Sequence, residues 1–126
     1  MATIEITSDN LEQTITDNSI VLLDFWAEWC GPCRTFGPIF EQAAQENPDI
    51  VFGKIDTEAQ QRLAADFRIT SIPTLMAFRD EIIVFAQPGA LPSAQLTQVI
   101  EAVRGLDMDD VRKQLAEQDA ADTEAP

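Results

Sequence analysis

The pattern of apolar and polar residues predicts that strands and helices alternate along most of the chain. Strand-like runs cover residues 2–6, 20–26, 50–56, 74–79 and 82–87. Apolar residues spaced three or four apart predict helices beginning near residues 9, 33, 58 and 92. The run at 20–26 is almost unbroken, which is typical of a central strand buried on both faces. The order β-α-β-α-β-α-β-β-α predicts an α/β domain whose mixed sheet carries helices on both faces.

Polar residues and prolines mark the predicted ends of these elements. Ser8 or Asp9 is placed to cap the first helix. Asp80 and Glu81 separate the last two strand-like runs, which predicts a hairpin without the usual glycine. Pro92 suits the first turn of the last helix.

The composition changes after Gly105, so we divide the chain into a domain at 1–105 and an extension at 106–126. Residues 107–126 hold seven acidic and two basic side chains. Met108, Val111 and Leu115 recur at helical spacing, which predicts a short helix, and the chain from Gln118 onward is predicted to be disordered. The extension is either a solvated tail or a segment with a partner-docking or regulatory role, and the sequence leaves both open.

The charge and the missing residue types exclude several classes of function. The formal net charge is −14 and the sequence pI is about 4.1, so we expect neither nucleic acid nor a membrane surface as a partner. Histidine is absent, which removes every catalytic scheme that depends on an imidazole. Residues 1–5 lack the pattern of an export signal, so a cytoplasmic location is expected.

The two cysteines provide the candidate chemistry. Cys30 and Cys33 flank Gly31 and Pro32, and a helix is predicted to begin at this point. Cysteines at this spacing can form a disulfide, and a thiolate at a helix start is stabilised by unpaired amides and by the helix dipole. Zinc would need four ligands, and the chain offers no further cysteine and no histidine. Dithiol–disulfide exchange is therefore favoured over a zinc site, an inert disulfide or a pair of core thiols.

Residues 24–33, with the sequence DFWAEWCGPC, resemble the active-site strand and loop of the thioredoxin family. Further matches occur in the family's order along the chain. They are Pro38, the segment Lys54, Ile55 and Asp56, residues 71–75 (SIPTL), and the pair Gly89 and Ala90. The resemblance spans about residues 2–105, which is nearly the whole predicted domain.

The resemblance implies a thioredoxin fold, with a mixed five-stranded sheet flanked by four helices and followed here by a short acidic helical extension. It implies a general protein disulfide reductase that donates electrons to disulfide-containing proteins and maintains redox homeostasis. Cys30 would attack the substrate disulfide and Cys33 would resolve the mixed disulfide. The domain would bind no cofactor, since a thioredoxin reductase using FAD and NADPH would restore the dithiol. We expect the chain to act as a monomer.

The resemblance also implies roles for two charged residues. Asp24 would be a buried carboxylate beneath Cys33 that accepts its proton through water, because burial disfavours the charged form. Lys54 would be the charge partner of Asp24. The alternatives are that Asp24 lies at a solvated strand edge and that Lys54 is an ordinary surface lysine.

A docking surface for substrate is the last expectation. The resemblance implies a cis peptide bond before Pro73, which would block metal and leave the backbone of Ile72 free to pair with an extended segment. The predicted surface consists of Trp29, Gly31, Pro32, Ile72, Pro73 and Gly89. Gly89 could instead be only a turn residue, and Trp26 is expected to be structural.

Three rival functions remain at this stage. The chain could be an oxidase or isomerase, a non-catalytic adaptor, or a chaperone that uses its apolar face. A reductase requires Cys30, whereas an adaptor or a chaperone does not.

Overall fold

A computed structural model describes the backbone of residues 2–124 and the side chains of residues 2–120. The strands are β1 (Thr3–Glu5), β2 (Ile20–Trp26), β3 (Val51–Asp56), β4 (Thr74–Arg79) and β5 (Ile82–Pro88). The helices are α1 (Leu11–Asp17), α2 (Gly31–Glu46), α3 (Gln61–Asp66), α4 (Ser93–Arg104) and α5 (Met108–Glu124). The sheet order is β1-β3-β2-β4-β5, and the pairs β2–β4 and β4–β5 are antiparallel whereas the other pairs are parallel. The predicted α/β architecture with a mixed sheet is confirmed.

Both faces of the sheet are covered because both sets of alternating residues in β2 are predominantly apolar. Leu22 packs in a core with α2 and α4, whereas Leu23 and Phe25 pack in a second core with α1 and α3. Residues two apart in a strand share a face. Asp24 therefore lies on the same face as Leu22, toward the helix that begins beside the cysteines.

The beginnings of α1 and α3 differ from the prediction. Neither Ser8 nor Asp9 caps α1, because the helix begins at Leu11 and the N-cap is Asn10. The side-chain oxygen of Asn10 instead accepts a hydrogen bond from the amide of Thr7 at 2.8 Å. Helix α3 begins at Gln61, later than predicted, because residues 57–60 form a turn after β3.

The hairpin and the last two helices also refine the prediction. Asp80 and Glu81 form the expected turn with φ of 51° and 71°, and a two-residue hairpin turn of type I′ requires this left-handed conformation at both positions. Pro92 is the N-cap of α4 and therefore lies just outside its first turn. Helix α5 continues to Glu124, so the prediction of disorder from Gln118 onward was wrong for residues 118–124.

The C-terminus of α3 has a hydrogen-bond pattern that usually includes glycine. The amide of Arg68 donates to the carbonyl of Ala65 at 3.0 Å, and the amide of Ile69 donates to the carbonyl of Ala64 at 2.9 Å. This is the Schellman arrangement, which needs a left-handed residue just after the helix. Arg68 fills that position with φ 57°, although a side chain there costs about 1 kcal/mol relative to glycine.

The extension is attached to the domain by specific contacts. Arg79 donates through Nη1 to the carbonyl of Val103 at 2.7 Å, at the end of α4. Arg112 of α5 forms an ion pair with Asp80 at 3.2 Å, and Met108 is buried. Helix α5 therefore packs on the hairpin end of the sheet. Within residues 2–124, none of the helices combines the length and apolar character that crossing a bilayer requires.

Candidate active site

The two cysteines lie at the beginning of α2. Cys30 is the N-cap of this helix, and its Sγ accepts a hydrogen bond from the amide of Cys33 at 3.2 Å. Gly31 and Pro32 fill the first two helical positions, where proline is tolerated because the first amides of a helix have no partner within it. Cys30 and Cys33 form a disulfide bond with their Cα atoms 5.3 Å apart. The sequence predicted that the two sulfurs could reach each other, and this is confirmed.

This position makes Cys30 a suitable nucleophile in the reduced protein. An amide that donates to a sulfur, together with the positive end of a 16-residue helix, stabilises negative charge on that sulfur. The thiolate is the form that attacks a disulfide. The geometry therefore supports exchange chemistry that begins at Cys30.

The Cys30 side of the disulfide opens into a groove, which we call the Cys30 groove. Its volume is about 400 Å³. The lining residues are Trp29, Cys30, Gly31, Pro32, Thr57, Ala64, Ile69, Thr70, Ser71 and Ile72. The Ile72–Pro73 peptide bond is cis, and the carbonyl oxygen of Ile72 lies 3.7 Å from Sγ of Cys30. A backbone segment is thus held directly beside the sulfur, although Cys30 itself is only 4% exposed.

Trp29 is the most exposed large apolar side chain of the Cys30 groove. It is 66% exposed, and its indole Nε1 donates a hydrogen bond to the carboxylate of Glu58 at 2.7 Å. The bond fixes the orientation of a ring that the solvent would otherwise leave free. Sequence analysis missed Glu58, because no local pattern connects this acidic residue to a tryptophan 29 positions earlier.

The other predicted docking residues differ in exposure. Gly31, Pro32 and Gly89 are exposed, Ile72 is half-buried, and Pro73 is buried. Pro73 therefore shapes the site without forming much of its surface, which corrects the expectation that it is part of the docking surface. Gly89 lies beside it, since its amide donates to the carbonyl of Pro73 at 2.8 Å. Its φ of 106° requires glycine whether or not substrate touches it.

The Cys33 side of the disulfide opens into a second groove, the Cys33 groove, with a volume of about 400 Å³. The lining residues are Thr3, Trp26, Ala27, Glu28, Cys33, Arg34, Gly37, Pro38, Glu41 and Lys54. Charged side chains are frequent here and are absent from the lining of the Cys30 groove. The two sulfurs therefore open onto regions of different polarity.

Asp24 is the buried acid of the site. Its side chain is 0% exposed, and neither carboxylate oxygen has a hydrogen-bond partner among the described residues. Burial raises the pKa of Asp24 from 3.8 to about 7, while the positive charge of Lys54 acts in the opposite direction. The alternative of a solvated strand edge is therefore wrong. A carboxyl with this pKa can hold or release a proton near neutral pH.

Lys54 is the register partner of Asp24 on the neighbouring parallel strand. Its Nζ lies 4.9 Å from the centre of a ring of Trp26 and lines the Cys33 groove. The ring restrains the lysine beside Asp24, so it is not an ordinary surface residue. Trp26 also accepts hydrogen bonds through its carbonyl from the amide and hydroxyl of Thr57, at 2.9 and 3.0 Å. These contacts give Trp26 a structural position behind the active-site loop.

No group of three or more Cys, Asp and Glu side chains is arranged to hold a metal ion within the described part of the chain.

Comparison with known proteins agrees with this geometry. The thioredoxin family model matches residues 2–102. A protein described as putative thioredoxin 2, from Streptomyces coelicolor, is 64% identical over 119 residues, which cover 94% of this chain and 89% of that protein. Thioredoxin C-3 from Corynebacterium nephridii is 44% identical over 99 residues, or 78% of this chain and 68% of that protein. The solved structure of a mutant thioredoxin from Halobacterium salinarum has a TM-score of 0.77 at 32% identity, covering 83% of this chain and 94% of that one.

Proposed function

The chain belongs to the thioredoxin family and is a protein-disulfide oxidoreductase that acts through its cysteine pair, and we propose that Cys30 is the attacking thiolate and Cys33 the resolving thiol. The observation that carries this assignment is the position of Cys30 as N-cap, with its Sγ accepting the amide of Cys33 beside the Ile72 backbone. Cys33 has no such helix-start position, because it already lies inside α2.

In the first step, the Cys30 thiolate attacks one sulfur of a substrate disulfide. A bond forms between Cys30 and that sulfur, the substrate's S–S bond breaks, and the second substrate sulfur leaves as a thiolate that takes a proton from water. The product is a mixed disulfide between the two proteins.

In the second step, the Cys33 thiol loses its proton and its sulfur attacks Cys30. The Cys30–Cys33 bond forms and the first substrate sulfur leaves as a thiolate, so the substrate gains two electrons and this protein loses two. Asp24 accepts the proton of Cys33 through water, and its pKa of about 7 suits a base that works near neutral pH. Lys54 keeps that pKa from rising further.

The substrate docks in the Cys30 groove as an extended segment. The backbone of Ile72 pairs with it, because the buried Pro73 holds this stretch beside the sulfur. Trp29, Gly31, Pro32 and Gly89 provide exposed contact surface around the sulfur.

Membership of the family supports a proposal for regeneration and cellular context. A thioredoxin reductase that uses FAD and NADPH returns two electrons to the Cys30–Cys33 disulfide, and the chain itself binds no cofactor. The protein works as a monomeric, cytoplasmic reductant that maintains redox homeostasis through its target proteins. The thioredoxin domain is residues 1–105, in agreement with the family match to 2–102, and residues 106–126 are an extension.

Turnover of a disulfide-bonded peptide, with dithiothreitol as the electron donor, tests the assignment. The wild type is expected to accelerate reduction, and Cys30→Ser is expected to abolish the acceleration. Catalysis that survives Cys30→Ser would contradict the assignment. The reduction potential of the cysteine pair is a second test. A value near −270 mV, as in thioredoxin, would support a role as a reductant, whereas a value near −120 mV would make the protein an oxidant.

A further inference from the structure

Arg68 lines a cavity that adjoins the Cys30 groove. A smaller cavity of about 180 Å³ is lined by Arg68 and by Gln87 and Pro88 of β5. This cavity shares the segment at residues 69–71 with the Cys30 groove. A polypeptide seated beside Cys30 and continuing over this segment reaches Arg68.

The guanidinium group of Arg68 is available to a ligand. Arg68 is exposed, and its side chain makes no hydrogen bond or ion pair within the described residues. Each of the other arginines contacts an acid or a backbone carbonyl of this chain. These contacts are Arg34 with Glu28, Arg62 with Asp66, Arg79 with Val103, Arg104 with Asp49, and Arg112 with Asp80.

The backbone at Arg68 adds a second observation. The Schellman turn holds this residue at φ 57°, a conformation that glycine adopts at lower cost. The turn hydrogen bonds fix the Cα of Arg68 relative to α3, so the charge is presented from a defined point. The chain thus has a charged side chain at a position where glycine would be more stable.

The charge of the whole protein determines what this cation would recognise. A net charge of −14 repels acidic segments in general. One unpaired guanidinium beside the Cys30 groove opposes that repulsion locally, and its planar donors match a carboxylate. We propose that Arg68 is a specificity-determining residue, which favours target segments that carry an acidic side chain at a distance from the reacting cysteine. This inference rests on the proposed function, because it requires that target segments occupy the Cys30 groove.

Two sets of disulfide-bonded peptides with amidated C-termini test the inference. One set places a single Glu successively further from the reacting cysteine, and the other places Gln at the same positions. For the wild type, kcat/KM is expected to favour Glu over Gln by about 1.5-fold to fivefold at one or two adjacent positions, the range for an exposed ion pair. The preference is expected to fall as salt is added, since salt screens exposed charges.

Three variants distinguish the role of Arg68 from a general charge effect. Arg68→Gln is expected to remove the Glu preference, and Arg68→Lys is expected to keep part of it. Arg62→Gln is the matched control, because this exposed arginine of α3 pairs with Asp66 and lies outside the groove lining; it is expected to keep the full preference.

The outcomes separate the two proposals. A wild type that does not distinguish the two peptide sets, or an Arg68→Gln variant that keeps the preference, would overturn the role of Arg68. An equal loss in Arg62→Gln would overturn it as well, because the effect would then come from the overall charge. If neither peptide set were reduced in a Cys30-dependent reaction, the proposed function itself would fail, and the inference with it.

Discussion

The Cys30 groove and the Cys33 groove have similar volumes, but the side chains that line them differ in charge. The Cys30 groove is lined without charged residues and contains the exposed Trp29 and the half-buried Ile72. The Cys33 groove contains Lys54, close to the buried Asp24. The first surface suits polypeptide, and the second has the groups that proton transfer needs. In the mechanism proposed above, the disulfide therefore separates substrate recognition from acid–base chemistry.

The largest expected effect distinguishes the two cysteines. Cys30→Ser is expected to abolish turnover, because no thiolate then faces the substrate groove. Cys33→Ser is expected to permit the first attack and to trap the mixed disulfide, which non-reducing electrophoresis with a disulfide-bonded peptide target would detect. A stable mixed disulfide in the Cys30→Ser variant would reverse the assignment of the two grooves.

The next effect concerns stability. Asp24 has a pKa of about 7 in the folded protein and 3.8 as its ordinary value. The folded state therefore binds the extra proton between these values, and the wild type loses stability as the pH rises from about 3.8 to about 7. Asp24→Asn has no carboxyl to ionise at this position and is therefore not expected to lose this stability. At pH 8 its free energy of unfolding is expected to exceed that of the wild type by up to roughly 4 kcal/mol.

Urea unfolding of the two proteins at several pH values measures this difference. It should be small near pH 4, grow toward pH 7 and then level off. Asp9→Asn is a suitable control, because Asp9 is exposed. A difference independent of pH would mean that Asp24 does not titrate within this window.

Asp24 is also expected to affect only one of the two chemical steps. In Asp24→Asn, resolution by Cys33 should slow by a factor on the order of 10², the usual contribution of a positioned general base. The first attack by Cys30 should be unchanged, because that sulfur opens onto the other groove. Single-turnover kinetics with a disulfide-bonded peptide separates the steps, and equal slowing of both would contradict the separation of the grooves.

The effect of Lys54 is smaller. Removing its charge in Lys54→Gln raises the pKa of Asp24 further, so the pH dependence of resolution should move to higher pH. Lys113→Gln is the matched control, because Lys113 lies on α5, away from both grooves. The same displacement in both variants would show a general charge effect.

The smallest effect lies in the extension, remote from both grooves. Arg112→Ala removes the ion pair with Asp80, whose two side chains are partly exposed, so the loss of stability should stay below about 1 kcal/mol. Turnover should be unchanged. Reduced turnover at full stability would mean that α5 takes part in substrate binding, contrary to a purely structural attachment.

The sequence predicted the elements that bear strong local signals. The apolar runs of β2 and β4 predicted the observed bounds of those strands, because burial on both faces leaves a continuous pattern. The cysteine pair pointed to the active site through its spacing, and the loop at residues 71–75 did so through its resemblance to the thioredoxin family. Sequence analysis missed contacts between distant segments, such as that of Trp29 with Glu58, because no local pattern records them.

Local rules failed where tertiary contacts or turn geometry decide the outcome. The apolar spacing of the extension supported only a short helix, yet α5 runs to Glu124. Arg68 takes a left-handed conformation that its residue type disfavours, because the α3 turn bonds impose it. The sequence therefore could not suggest its proposed role, which depends on the lining segment that the two cavities share.

The reactivity of the two thiols in the reduced protein tests the central claim most directly. Reduced protein is alkylated with iodoacetamide across a pH series, and mass spectrometry assigns the label to Cys30 or Cys33. The account predicts that Cys30 reacts first and reaches half its maximal rate clearly below about pH 8.5, the midpoint of a free cysteine. Equal reaction of both thiols, or a midpoint at or above about 8.5 for Cys30, would contradict it.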